Sequence, residues 1–253
     1  MNVTHRIARI TPRASMARWR AVEADIVFDL ELAHGRCVGV RIPALPGAVE
    51  ALAESMLPAL ERNAHSTRFA ARRRAWVGGR VALRRTLTLL DIDAPAILSD
   101  DRGAPMLPSG VAASISHKDW IAVALVARET EARVGVDVET DIEPSFAIAS
   151  RVLADDELSE VEALDSTARP REVLVRFSAK EAVYKALDPF VRRYVGFKEV
   201  SISLLPAGDA VVRSHLREKE GPFTIGVRWR RHDGLVLTTA RVTPAVCGVD
   251  TSG

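Results

Sequence analysis

The chain has 253 residues, 47% of them hydrophobic and 27% charged, with a formal net charge of +2. That length suits one large domain or two small ones, and the balanced composition excludes a disordered chain and a globally polybasic nucleic-acid binder. Cys37 and Cys247 are the only cysteines, far apart and without a nearby histidine pattern, so neither a disulfide framework nor a zinc site is expected. A reducing, cytoplasmic setting fits. The opening MNVTHRIARITPR has no continuous apolar run, and no stretch approaches the roughly 20 apolar residues of a membrane span, so neither export nor membrane insertion is expected.

In chain order, IVFDLELA and CVGVRI, broken at His34 and Gly35, predict a hairpin within residues 25–42. GAVEALAESMLPALERN reads as helix interrupted near Pro58, and a longer helix is expected over residues 66–90. In that helix Phe69, Trp76, Leu83 and Leu90 recur every seven residues, with Arg73, Arg80 and Leu87 interleaved. Arg80 thus falls within an apolar stripe. A buried unpaired charge costs several kcal/mol, so this arginine requires an internal carboxylate or a bound anion. The turn-rich loop DDRGAPMLPSG leads to two strands, VAASIS and WIAVALVA, flanking His117, Lys118 and Asp119. After a break at residues 129–132 comes a strand, VGVDVE, then helices over residues 155–164 and 177–187, and strands VSISLL, FTIGVRW and LVLTTARV. Each half reads as a long helix with hairpin material. The expected fold is therefore α+β, a pseudo-duplicate of two lobes, residues 1–130 and 131–253. The tail CGVDTSG is expected to fray.

Three places carry chemistry. In VGVDVE, Asp137 and Glu139 are two apart, so the alternation of a strand turns both carboxylates to one side. Taken alone they suit a solvent-facing sheet edge; with Glu181 as a third carboxylate they suit a magnesium or manganese ion. In FSAKEAVYK, Glu181 and Lys185 share one helical face, flanked by Lys180. That spacing serves either a surface ion pair or a charged ligand. In SISHKDW, serines and an imidazole at a turn make either a local turn structure or a phosphate cradle. The run Arg72, Arg73, Arg74 reads first as a solvated face.

The ordered set RRRAWVGGR, DRGAPMLP, SISHKDW, VGVDVE and FSAKEAVYK resembles the 4′-phosphopantetheinyl transferases of the long two-lobed class, which activate siderophore, polyketide and peptide synthetases. The resemblance spans residues 72–187. It implies two similar α+β lobes with coenzyme A in the cleft between them and apo acyl or peptidyl carrier proteins as partners, with a monomer expected. It implies that Asp137, Glu139 and Glu181 bind magnesium, with manganese as a substitute. Arg72, or Arg73 in its place, Arg80, Arg102, Ser116 and His117 match coenzyme A contacts. Lys185 matches a lysine at the pyrophosphate, and Lys180 its companion. Glu181 is implied as the base, directly or through water, with Lys185 stabilising the leaving phosphate. Phe177 stands where many relatives carry tryptophan, an aromatic change of smaller volume that a core tolerates. Gly78 and Gly79 are expected to loosen the arginine helix. Residues 142–164, following the acidic strand, are candidates for carrier docking. Two alternatives remain open: a magnesium-dependent nuclease, and a non-catalytic basic module docking nucleic acid or an acidic protein.

Overall fold

In the computed structural model, which describes residues 24–64, 70–141 and 145–245, the expected hairpin forms as β1 (Ile26–Leu32) and β2 (Gly35–Arg41). Phe69, Cys247, Pro144 and the chain's tail lie outside the described residues. Pro46 opens α1 (Pro46–Met56), where its fixed φ suits a first helical turn and its missing N–H costs nothing. The chain then breaks near Pro58 before the short α2 (Ala59–Ala64). The arginine helix is α3 (Ala70–Leu89), and its Val77, Val81, Leu83 and Leu87 enter the first core. Gly78 and Gly79, expected to loosen α3, serve close packing instead. A Cβ at Gly78 would lie 2.7 Å from Ile42 Cγ1, and one at Gly79 2.6 Å from Ile115 Cγ2. The helix approaches its sheet only because both side chains are missing.

β3 (Val111–Lys118) and β4 (Ile121–Arg128) complete a four-stranded antiparallel sheet in the order β1-β2-β4-β3. β4 is buried on both faces, which accounts for its unbroken apolar sequence. Ala122, Ala124 and Val126 pack in the α3 core, whereas Ile121, Val123 and Leu125 enter a second cluster. That cluster also holds Val134, Val136, Val138, Leu235 and Leu237, so the two halves share apolar core.

The second half begins with β5 (Arg133–Thr140), followed by α4 (Ala149–Val152), α5 (Asp155–Glu162) and α6 (Arg169–Val191). β6 (Val200–Leu204), β7 (Asp209–Ser214), β8 (Phe223–His232) and β9 (Leu235–Pro244) complete a sheet in the order β5-β9-β8-β7-β6. β7 was not anticipated, because its charged, half-exposed sequence carries little apolar signal and its pairing with β6 defines it. Each half is thus an antiparallel sheet backed by one long helix, the expected α+β class with two lobes. No helix among the described residues is long and apolar enough to cross a membrane.

Two contacts lock the site's scaffold. Gly135 faces α6 so closely that a Cβ there would stand 1.8 Å from Ala182 O and 3.1 Å from Ala186 N. The obstacle is backbone, so the helix itself must move to admit a methyl group. His34, at the tip of the β1–β2 hairpin, lies buried on β9, its Nδ1 3.0 Å from Thr239 Oγ1. Burial, with Arg228 and Arg241 nearby, lowers its proton affinity, although Thr239 opposes the shift.

Gly135→Ala should destabilise the fold by about 3 kcal/mol, the upper end of ordinary overpacking costs. Chemical denaturation measures this, and a change below about 0.5 kcal/mol would contradict the close approach. His34 generates a pH dependence of definite sign. Because its folded-state pKa is depressed, the unfolded chain binds the extra proton, so stability is lost as pH falls below the ordinary histidine value of 6.5. Comparing unfolding free energies from pH 7.5 to 5.5, the wild type should fall more steeply than His34→Gln, by at most roughly 1.4 kcal/mol per pH unit. Equal slopes would remove His34 from this role.

Candidate active site

β3 and β5 run along the seam between the two sheets, and the two-residue alternation of β3 sorts its side chains. Ser114, Ser116 and Lys118 reach toward β5. Ser114 Oγ accepts Val136 N at 3.1 Å, Ser116 Oγ donates to Asp137 Oδ1 at 2.8 Å, and Lys118 Nζ meets Glu139 Oε2 at 2.7 Å. Ala113, Ile115 and His117, on the other side of the strand, line a cavity of about 650 Å³ between the halves, and Ser114 also borders it. β5 shows the same sorting. Val134, Val136 and Val138 enter the shared core, while Gly135, Asp137 and Glu139 lie on the other side, where Gly135 meets α6.

Asp137 is buried and its hydrogen-bond capacity is well used. Lys185 Nζ donates to its Oδ1 at 2.8 Å, beside the Ser116 bond, and Ser178 Oγ donates to Oδ2 at 2.8 Å. Lys185 also donates to Ser116 Oγ and to Val136 O, each at 3.0 Å. Ser178 is in turn held 2.9 Å from Thr238 Oγ1, the residue paired with Asp137 on β9. A buried carboxylate is tolerated only with such compensation.

Glu139 and Glu181 complete the cluster. Burial raises both pKa values, and Asp137 raises both further, while Lys118 and Lys185 pull Glu139 down and Lys185 does the same for Glu181. Three carboxylates from β5 and α6 therefore share one field, with lysines as counter-charges. Their oxygens suit magnesium or manganese chemically, and their mutual repulsion favours an added cation. Among the described residues no three acidic, histidine or cysteine side chains are grouped as a ready-made metal shell, and Asp137 and Glu139 are paired with Lys185 and Lys118. A metal would take those oxygens in place of ammonium groups.

The cavity wall is strongly cationic. Arg72, Arg80, Arg102, Arg133, Lys185 and His117 line it, with Trp76, Tyr184 and Asp188. Arg80 is buried, donates to Ser99 Oγ at 2.8 Å and lies over the Trp76 ring at 5.5 Å. The buried carboxylate of Glu61, on α2, is engaged by Arg84, one turn further along α3. Arg73, the alternative to Arg72, is occupied with Glu50, whereas Arg72 is at the cavity. His117 is kept neutral by desolvation and by the Lys185 ammonium, against the weaker pull of Asp137. Arg133, Tyr184 and Asp188 were missed in the sequence, where only the pairing of the halves brings them together.

Lys180 corrects an expectation. Instead of accompanying Lys185, it is buried on another side of α6, paired with Glu157 and donating to Val152 O at 2.9 Å and Phe197 O at 2.7 Å. All three ammonium donors are thus spent on protein acceptors. Adjacent residues diverge by about 100° around a helix, which sends Lys180 away from the face of Glu181 and Lys185. Ser116, expected at the phosphate end, is turned to Asp137 and Lys185 instead of the cavity wall.

The family model for the 4′-phosphopantetheinyl transferase superfamily matches residues 133–240, and that for the 4′-phosphopantetheinyl transferase N-terminal domain matches residues 60–127. The 4′-phosphopantetheinyl transferase Npt of Nocardia iowensis is 31% identical over 181 residues, covering 66% of this chain and 81% of that protein. PptT of Mycobacterium tuberculosis is 30% identical over 180 residues, covering 67% and 78%. Enterobactin synthase component D of Salmonella austin is 32% identical over 172 residues, covering 64% and 68%. Neither a nuclease nor a basic binding module is favoured by these likenesses, and the chain belongs to the 4′-phosphopantetheinyl transferase superfamily.

Proposed function

We propose that the protein transfers 4′-phosphopantetheine from coenzyme A to a serine of an apo acyl or peptidyl carrier protein, of the kind used by siderophore, polyketide and peptide synthetases, releasing 3′,5′-ADP. Family membership supports the transferase activity and coenzyme A as co-substrate. The observation that carries the site assignment is Lys185, which belongs both to the wall of a cation-lined cavity and to the carboxylate cluster. In this reading residues 1–130 supply the arginine helix and His117, and residues 131–253 supply the acidic strand and α6. Asp137, Glu139 and Glu181 would hold magnesium, or manganese, which when bound offsets the charge of the pyrophosphate.

The remaining chemistry belongs to the chain. The carrier serine Oγ bonds to the β-phosphorus of coenzyme A as the bridging P–O bond breaks, and the electron pair of that bond leaves with 3′,5′-ADP. Glu181 takes the serine proton, directly or through water; a bound metal would favour its ionised form, so its work as a base depends on precise placement against the serine hydroxyl. Lys185 stabilises the leaving phosphate once its ammonium is shared with it. Arg72, Arg80, Arg102 and neutral His117 bind charge and polar groups already present in the ground state, so their loss weakens coenzyme A binding more than turnover. Lys180, fully occupied by protein acceptors, holds α6 against α5 and Phe197.

Incubation with coenzyme A, magnesium and a panel of apo carrier proteins should add one phosphopantetheine per carrier, read by intact-protein mass spectrometry. No gain on any carrier would sink the proposal. Glu181→Gln should lower kcat by about 10²–10⁴-fold, the ordinary worth of a positioned base, with coenzyme A still bound. Near-normal turnover in this variant would remove Glu181 from the catalytic role.

A further inference from the structure

Among the described residues that line the cavity, Arg72, Arg80, Arg102, Arg133 and Lys185 carry cations, and Asp188 is the one carboxylate. A negative group in the wall of an anion site opposes its ligand, so its presence there requires a second effect that outweighs the repulsion. Its partner supplies one. Arg102 Nε donates to Asp188 Oδ2 at 2.8 Å and Arg102 Nη2 donates to Oδ1, a two-pronged contact between the loop after Asp100 and the last turns of α6. Asp188 lies on the α6 face that already carries Glu181 and Lys185, one turn beyond the lysine. Tyr184, one turn before Asp188 on α6, lines the cavity beside the same pair.

The loop is otherwise fixed at its base and not at its arginine tip. Asp100 Oδ1 accepts the backbone N–H groups of Arg102 at 2.9 Å and Ala104 at 2.8 Å, which shapes the turn and leaves the long side chain to be positioned separately. A second contact, Arg192 Nη2 to Asp101 Oδ2 at 3.0 Å, ties the loop to the same helix, but both side chains are mostly exposed. The Arg102–Asp188 pair is the more buried of the two, with side chains 28% and 16% exposed. A guanidinium has five N–H donors, and Asp188 takes one edge of the fork. The opposite edge remains available to an oxyanion.

Resting on the coenzyme A reading above, we propose that Asp188 is a positioning residue for Arg102: it fixes the guanidinium in the cavity wall before the ligand arrives, so that the anion meets an ordered donor pair instead of a mobile side chain. The benefit is the rotamer entropy that binding no longer has to remove. Its sign is opposite to that of a simple repulsive acid. Removing Asp188 should weaken coenzyme A binding, and only while Arg102 is present.

A double-mutant cycle on the full-length protein, with coenzyme A affinity measured by calorimetry, tests this. Asp188→Ala should raise the Kd about tenfold, with the kinetic loss on KM for coenzyme A more than on kcat. In an Arg102→Ala background the same substitution should change Kd by less than twofold, or tighten binding by removing the repulsion. Asp188→Asn, which keeps the shape and one acceptor oxygen, serves as the parallel variant if Asp188→Ala fails to fold, and should fall between wild type and Asp188→Ala. Tighter or unchanged binding on removing Asp188 from the wild type would overturn the proposal, as would an equal tenfold loss without Arg102. A wild-type protein that binds no coenzyme A would overturn the functional reading itself, an outcome distinct from either.

Discussion

The contact on which the rest of the structure depends is the bond between Lys185 and Asp137, made where two sheets and a helix converge. A carboxylate buried at such a junction is destabilising unless every neighbour answers it, and here the answers come from Ser116 of β3, Ser178 and Lys185 of α6, and, through Ser178, Thr238 of β9. The first half of the chain contributes one donor and the second half contributes two. The halves therefore cannot separate without leaving a buried charge short of partners. Gly135 makes the arrangement possible, because only a residue without a side chain lets α6 settle on β5 closely enough for a lysine and an aspartate to meet.

That junction also explains how one helix serves two purposes. Along α6, Glu181 shares a field with the acids of β5, Lys185 bridges them to the cavity, and Asp188 holds Arg102 at the rim. Cations on α3 face the cavity from the first half, so the charge gradient runs from the arginine-rich wall toward the carboxylates. In the proposed function the negative groups of coenzyme A would lie on the arginines and lysine, with its reacting end toward the acids. Lys118, on Glu139, and Lys185, on Asp137, show how the protein balances its acids with its own ammonium groups.

Much of this was legible in the residues because it rests on periodicity. Alternation along VGVDVE placed Asp137 and Glu139 on one side, and the four-residue spacing of Glu181 and Lys185 placed those two on one face. The long apolar run of residues 120–127 read correctly as a buried strand. What escaped the sequence rests on tertiary geometry. Lys180 sits next to Glu181 in the chain but points elsewhere, because α6 is buried on several sides and a helix turns neighbours about 100° apart. Ser178, Lys118 and Asp188 act through partners 41, 21 and 86 residues away, and no local pattern announces such pairs. Gly78 and Gly79 looked like weak points in a helix, yet they are sites of close approach, a distinction that depends on what lies opposite.

Diffraction from crystals grown with coenzyme A and manganese, with anomalous data collected at the manganese edge, tests the site assignment most directly. The result expected is coenzyme A in the cavity between α3 and α6, Lys185 Nζ within hydrogen-bond distance of its pyrophosphate, and a manganese peak bonded to oxygens of Asp137, Glu139 and Glu181. Coenzyme A bound elsewhere, or a manganese peak away from these carboxylates with Lys185 still held on Asp137, would contradict it.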